Sequence, residues 1–312
     1  MRRVAVLPVL LVSALLTPVV LAATASGAPP EVVRRAGTDR YATAVAISQA
    51  SASPGVATAY VASGTAFADA LAAAPVAGAA KAPILLVPSS TVPDVVRTEL
   101  QRLHPGQIVV LGGPAAVSDA VVTQLEGLSN APVERIAGDD RYATAAALSE
   151  ATFPVGVGTA YVTSGESAPD ALSAGAAAVG HGPVLLVTRD AVPGPIASEL
   201  RRLEPGRIVV VGGKAAVSDA LVAQLQGFTG GGVTRLAGVD RFETSAATSA
   251  GTFSAPIGDL YLASGRSFPD ALAGAWAAGG AGSPVLLSER DCVPASVLQE
   301  IDRLQPARLV LL

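Results

Sequence analysis

One cysteine (Cys292), two histidines (His104 and His181) and one tryptophan (Trp276) are all that this 312-residue sequence holds of those three residue types. A lone cysteine leaves no internal disulfide, so packing must hold the fold together. The histidines fall at different places in the repeat described below and read as surface residues, which removes most Ser-His-Asp triads and His-based zinc sites. No metal or cofactor is expected. Aromatic residues are 4% of the chain, which disfavours stacking as the means of recognising a sugar. No Gly-x-Gly-x-x-Gly follows a strand pattern and no Walker A lysine motif occurs. Basic charge is scarce as well. The formal net charge is −4, and setting Arg2 and Arg3 aside with the leader leaves nineteen basic against 25 acidic residues, a net −6. A strongly basic nucleic-acid binder is thereby excluded.

Hydrophobic residues, by contrast, make up 50% of the chain, with 32 Gly and 23 Pro. Abundant Ala and Val suit parallel strands buried on both faces and covered by Ala-rich helices, and they exclude disorder. Residues 1–28 stand apart. Arg2 and Arg3 precede an apolar run from Val4 to Ala23, and small residues around Ala23-Thr24-Ala25 offer a cleavage site. This is the pattern of a secretory signal peptide. An uncleaved anchor is the alternative, because the run approaches spanning length. Pro8, Pro18 and the small-residue exit favour cleavage, and no later run suggests a membrane span.

The rest is organised around one motif. Arg34-Arg35-Ala36-Gly37-Thr38-Asp39-Arg40-Tyr41 returns as Arg135-Ile136-Ala137-Gly138-Asp139-Asp140-Arg141-Tyr142 and as Arg235-Leu236-Ala237-Gly238-Val239-Asp240-Arg241-Phe242, at spacings of 101 and 100 residues. A period of this length is a small domain rather than a solenoid unit. It divides the chain into a leader (1–28) and three copies, 29–131, 132–231 and 232–312. The short junctions imply copies packed together.

Each copy reads as four strand–helix pairs. The strands begin at Val32, Ala59, Pro83 and Ile108 in copy one and recur in step. Asp39, Asp140 and Asp240 sit at helix starts, where a carboxylate accepts backbone N–H bonds. Asp69, Asp170 and Asp270 fall in the first turn of the next helix, beside Pro in copies two and three, and complement its dipole. Val96, Leu100 and Leu103 mark one buried face of the third helix, with Arg97, Gln101 and Arg102 outward. Gly112-Gly113 and Gly212-Gly213 read as tight turns, and Ser118 and Ser218 as caps of the helix that follows. Copy three reaches Leu312 within the fourth strand. Ser63, Ser164 and Ser264 end the second strand without a nucleophile elbow and read as turn residues. Alternating strands and helices give an α/β fold of three open, mainly parallel repeats, with ligands expected at the strand ends.

The recurring charged groups remain: Arg34, Arg135 and Arg235; Arg40, Arg141 and Arg241; and the two aspartate series. One reading has the arginines bind an anionic ligand, since a guanidinium grips phosphate or carboxylate by paired bonds. The other has Asp cap helices while Arg pairs with Asp across copies. The two are compatible in a ring of three. Tyr41, Tyr142 and Phe242 could be core.

These residues resemble the cell wall-binding repeat 2 family of Gram-positive surface proteins. The carrying motifs are Arg-x-Ala-Gly-x-Asp-Arg-(Tyr/Phe)-x-Thr, Ser-Gly-x-x-x-x-Asp-Ala-Leu, Pro-(Ile/Val)-Leu-Leu and Gly-Gly-x-x-Ala-Val-Ser. The resemblance implies three copies with pseudo-threefold symmetry and non-covalent anchoring to an anionic wall polysaccharide or teichoic-type polymer. It ties Ile84-Leu85-Leu86, Val184-Leu185-Leu186 and Val285-Leu286-Leu287 to anchoring, although as a sequence each reads as a buried strand. The expected function is a secreted, non-catalytic wall-binding module. A wall hydrolase (amidase) or its modifier, or a surface-layer structural protein, are the alternatives.

Overall fold

A computed structural model describes residues 29–128 and 130–312; the expected signal peptide lies outside them. Copy one contains β1 (Glu31–Arg34), α1 (Arg40–Ser51), β2 (Thr58–Ser63), a 3-10 turn (Phe67–Ala70), α2 (Ala74–Ala79), β3 (Ile84–Val87), α3 (Asp94–Leu103), β4 (Gln107–Leu111) and α4 (Asp119–Glu126). Copy two repeats the order with β5 (Val133–Ile136), α5 (Arg141–Thr152), β6 (Thr159–Ser164), α6 (Ala168–Ala178), β7 (Val184–Val187), α7 (Gly194–Leu203), β8 (Arg207–Val211) and α8 (Asp219–Leu225). Copy three has β9 (Val233–Leu236), α9 (Arg241–Ala250), β10 (Asp259–Ser264), α10 (Pro269–Gly280), β11 (Val285–Ser288), α11 (Ala295–Leu304) and β12 (Arg308–Leu311).

Local chemistry sets the boundaries. Asp39 Oδ1 accepts from the N–H groups of Tyr41 and Ala42 at 2.9 and 2.8 Å, and Asp140 and Asp240 do the same for α5 and α9, giving an acceptor to N–H groups that a helix start leaves unpaired. Helices α3, α7 and α11 stop at His104, Glu204 and Gln305, all left-handed with φ of 44°, 44° and 47°, and a proline follows each. Neither feature lets the helix continue. His104 and His181 are both exposed.

The strands pair in parallel throughout, in the orders β3-β2-β4-β5, β7-β6-β8-β9 and β11-β10-β12-β1. Each sheet therefore takes its fourth strand from the next copy, and β1 closes the circle by pairing with β12, Glu31 opposite Arg308. At this seam Arg35 Nη1 donates to the Tyr261 hydroxyl at 2.7 Å and lies 3.7 Å from the Asp259 carboxylate. Arg308 grips the same carboxylate with Nε and Nη2. The other two sheets hold Ile136 and Leu236 at the position of Arg35.

Helices α2, α6 and α10 meet at the centre of the ring. All residues of α6 from Pro169 to Ala178 are buried, and so is Trp276 of α10. Helices packed on all sides need small residues, which accounts for the Ala-rich, aromatic-poor composition. A Cβ on Gly279 would lie 2.3 Å from Val179 Cγ2 and 2.6 Å from the Ala176 carbonyl oxygen. Gly279→Ala is expected to cost about 1–3 kcal/mol by overpacking, read as a lower urea midpoint. An unchanged midpoint would mean that the central contact is loose. Among the described residues no helix is long and apolar enough to cross a membrane.

Candidate functional site

The repeated motif does its first work at the copy junctions. Nη1 of Arg40, Arg141 and Arg241 donates to the carbonyl oxygens of Gly64, Gly165 and Gly265, which directly follow the second strand of the same copy. These glycines have no room for a side chain, because a Cβ would meet the rings of Tyr41, Tyr142 and Phe242 at 2.7, 2.7 and 2.4 Å. Each guanidinium also faces the aspartate of the preceding copy around the ring: Arg141 faces Asp69, Arg241 faces Asp170 and Arg40 faces Asp270. Burial raises all three carboxyl pKa values despite the arginines, and Asp170, 8% exposed, is pushed up to about 6. Desolvation thus outweighs the attraction of a single half-buried guanidinium.

The other arginine series serves the fourth strand. Arg135 Nη1 donates to Gly112 O at 2.6 Å and Nη2 to Asp119 at 3.0 Å. Arg235 repeats this with Gly212 O at 2.6 Å and Asp219 at 3.3 Å. The Asp219 carboxyl, hydrogen-bonded to Lys214 and then to Arg235, is held below its ordinary pKa. Gly112 and Gly212 have φ of 96° and 121°, and a Cβ on either would sit 2.6 Å from the Asp69 or Asp170 carboxylate. Both requirements point to glycine. Arg34, the copy-one member of the series, is exposed and makes no hydrogen bond or ion pair among the described residues.

The family's anchoring stretch lies inside. Ile84, Leu85, Leu86, Val184, Leu185, Leu186, Val285, Leu286 and Leu287 are at most 2% exposed. They form β3, β7 and β11, the sheet-edge strands covered by α1, α5 and α9, and are part of the core. The Ser63, Ser164 and Ser264 hydroxyls accept from backbone N–H groups two or three residues on, as turn residues do. Ser218 caps α8 through the Leu221 N–H at 3.2 Å, whereas the buried Ser118 hydroxyl has no hydrogen-bond partner among the described residues.

Two features escaped the sequence reading. Arg102 does not point freely outward: it chelates Glu99 with Nε and Nη2 at 2.8 and 2.7 Å and donates to the Ala52 carbonyl oxygen at 3.0 Å. Glu99, 0% exposed, also accepts from Ser48. Glu199 with Arg202 and Ser149, and Glu300 with Arg303 and Ser249, repeat the arrangement. The Glu-x-x-Arg spacing common to all three copies was its signal. The second feature is Phe67 and Phe268, 201 positions apart in sequence, whose ring centroids lie 6.4 Å apart at an interplanar angle of 67°. They line a crevice of about 640 Å³ between the copies, with Thr65, Asp69, Gly113, Asp139, Asp140, Arg141 and Glu166. The guanidinium of Arg241 lies 5.9 Å from the Phe268 ring centroid. Among the described residues no cluster of His, Cys, Asp and Glu could hold a metal ion.

Three interlocked α/β copies with this motif define a wall-binding module, and the chain belongs to the cell wall binding domain 2 (CWB2) family, whose pattern matches residues 34–122, 135–222 and 235–310. It is 31% identical over 245 residues to N-acetylmuramoyl-L-alanine amidase LytC of Bacillus subtilis (strain 168), across 78% of this chain and 47% of the relative. It is 28% identical over 231 residues to the amidase enhancer of the same organism, across 74% and 31%. Among solved structures, Cwp6 from Clostridium difficile superposes with a TM-score of 0.85 at 25% identity, covering 90% of this chain and 45% of Cwp6. Cwp8 from Clostridium difficile gives 0.81 at 26%, covering 91% and 49%. The chain thus spans half or less of the length of these relatives. Membership places it with proteins that associate with the cell wall.

Proposed function

We propose that the ring is a non-catalytic anchor, exported through residues 1–28, that holds its polypeptide on an anionic wall polymer. The observation that carries this reading is the threefold match to one wall-binding family, with the three copies interlocked in a single ring. One long polymer can then meet several like surfaces, and weak contacts add through effective concentration. We take 29–131, 132–231 and 232–312 as the duplicated units, with one strand of each lent to its neighbour's sheet.

The crevice beside Phe67 and Phe268 is our candidate for polymer contact. Its half-exposed rings offer an apolar face to a sugar, and Arg141 offers a cation. Of the repeated arginines, Arg40, Arg141 and Arg241 fit this role better than Arg135 and Arg235, which are tied to the Gly-Gly turns and to Asp119 and Asp219. Asp69, Asp139, Asp140 and Glu166 oppose a polyanion at the same place. Affinity per site is therefore low, and it rises as pH falls, because Asp69 has a raised pKa and gains a proton early.

The test is retention on purified walls, intact and stripped of anionic polymer, at neutral and mildly acidic pH. Intact walls are expected to hold the protein better, more so at acidic pH and less in salt, and Phe67→Ala with Phe268→Ala is expected to weaken retention about tenfold or more. Equal retention on both walls would overturn the polyanion. The Bacillus subtilis relatives carry amidase names, so muropeptide release by this chain would overturn the non-catalytic part.

A further inference from the structure

The seam between copies three and one carries charges where the other two junctions carry none. The residue after the first arginine of the motif is Ile136 or Leu236 at those junctions, and the second strand of the sheet it joins begins with Thr58 or Thr159. At the seam the same places hold Arg35 and Asp259. Arg35 Nη1 donates to the Tyr261 hydroxyl, and its guanidinium lies 5.5 Å from the Tyr261 ring centroid. Arg308 binds Asp259 through Nε and Nη2 at 2.8 and 2.9 Å. Trp276 is a further departure. Six residues after Asp69 and Asp170 stand Pro75 and Ala176, whereas the same step from Asp270 reaches the only tryptophan of the chain.

These residues line a pocket of about 300 Å³. It lies at the C-terminal end of α10, away from Phe268 at the start of that helix, and shares no residue with the crevice described above. Arg35, Lys81 and Arg308 bring three cations to it, against the single carboxylate of Asp259. That carboxylate is already taken by Arg308 and lies 3.7 Å from Arg35. Lys81 is exposed and has no hydrogen bond or ion pair among the described residues. Its φ of 51° is left-handed, and Gly282, likewise two residues before the proline ahead of the third strand, has 68°. The lysine thus occupies a place that suits glycine. Trp276 is 2% exposed, and its buried indole N–H has no hydrogen-bond partner among the described residues, although a buried tryptophan N–H normally finds one. Both unmatched groups are donors, and the charge left over is positive. An anionic acceptor answers both.

We propose that this pocket binds one small oxyanion, a phosphate ester or a carboxylate on a body no larger than a single sugar. Lys81 and Arg308, the more exposed cations, hold the anionic group at the mouth, and Arg35, with a side chain only 15% exposed, adds charge from within. The body of the ligand lies along Trp276 and the small residues Ala277 and Gly280. Guanidinium grips phosphate and carboxylate alike by paired bonds, and the volume, at the lower end for small-molecule sites, admits little more. Arg35, Asp259 and Trp276 have no like in the other copies, so the ring holds one such site and not three. The site stands independently of the anchor reading.

Trp276, the only tryptophan and part of the pocket wall, reports occupancy through its fluorescence. The protein is titrated with glycerol 3-phosphate in one arm and glucuronate in the other, at an ionic strength held constant with sodium chloride. A saturable change is expected with one or both, and none with glycerol or glucose, the neutral counterparts. A response to glycerol 3-phosphate alone assigns the site to phosphate esters, and a response to glucuronate alone assigns it to carboxylates. Lys81→Gly, which installs the residue copy three has there, is expected to weaken binding about tenfold, the worth of a charge-assisted contact, without lowering the melting temperature. Arg35→Leu, which installs the counterpart Leu236, is expected to abolish the response. No saturable change with either anion, an equal change with the neutral compounds, or unaltered binding by Lys81→Gly would overturn the proposal and leave the cluster as a fastening of the seam.

Discussion

Replacing Arg102 with methionine is expected to lower stability by about 3–5 kcal/mol, because it leaves a buried carboxylate without its cation. Glu99 is 0% exposed, and Arg102 provides two of its hydrogen bonds, leaving only Ser48. The ion pair itself gains little over an apolar pair of the same volume, since both charges had to be desolvated. Breaking it from one side strands the other charge in a low dielectric, where the full penalty applies. Scanning calorimetry should therefore show a fall in Tm on the order of 10 °C. The double variant Arg102→Met with Glu99→Gln should recover part of that loss, which a double-mutant cycle measures as coupling. The same change at Arg202 or Arg303 should behave alike, since Glu199 and Glu300 are 4% and 5% exposed. A loss below about 1 kcal/mol, the level of a surface pair, would show that water reaches Glu99.

Between pH 4 and pH 6 the folded protein is expected to lose stability as pH rises, the reverse of the usual carboxylate trend. Asp170 sits at a copy junction with its pKa raised to about 6 by burial, against the opposing pull of Arg241. An unfolded chain releases this proton near the ordinary value of 3.8. In between, the native state holds more protons than the unfolded state, and stability falls with increasing pH. The contribution is complete below about pH 4 and gone above the folded pKa, and the span between the two values corresponds to about 3 kcal/mol. Asp69 and Asp270 shift in the same direction. The exposed Asp219 and the partly exposed Glu289 shift downward and work the other way, but salt weakens their surface ion pairs. Urea midpoints in high salt should fall from pH 4 to pH 6 and then level off, and Asp170→Asn should flatten the fall. A midpoint that rises through this window, or an Asp170→Asn variant with an unaltered slope, would contradict the account.

Most of the fold was legible because it is local and repeated. The aspartate before Arg40, Arg141 and Arg241 caps its helix through bonds to residues two and three positions away, a distance a motif can encode. The apolar runs at Ile84, Val184 and Val285 could be read as buried strands from composition alone, as could the turn role of the serines that end the second strand. The candidate site was legible only in part. The repeated arginines were visible, and the pairing of Arg with Asp across copies was one of two readings left open. That Phe67 and Phe268 share a crevice was not visible, because copy two has Ala168 at that position and nothing local links copies one and three.

The sequence by itself determined the unit: its period, its strand and helix order, its caps and its preference for parallel sheets. Tertiary structure alone decided where each unit ends in space. The strand that opens one copy completes the sheet of the copy before it, and Glu31 finds Arg308 across nearly the whole chain. Periodicity cannot specify that choice, because the opening strand carries the same pattern whichever sheet it joins. The choice is made by which edge is left unpaired once the short junctions bring the copies together, and by groups such as Arg35 and Tyr261 that meet only when the ring has closed.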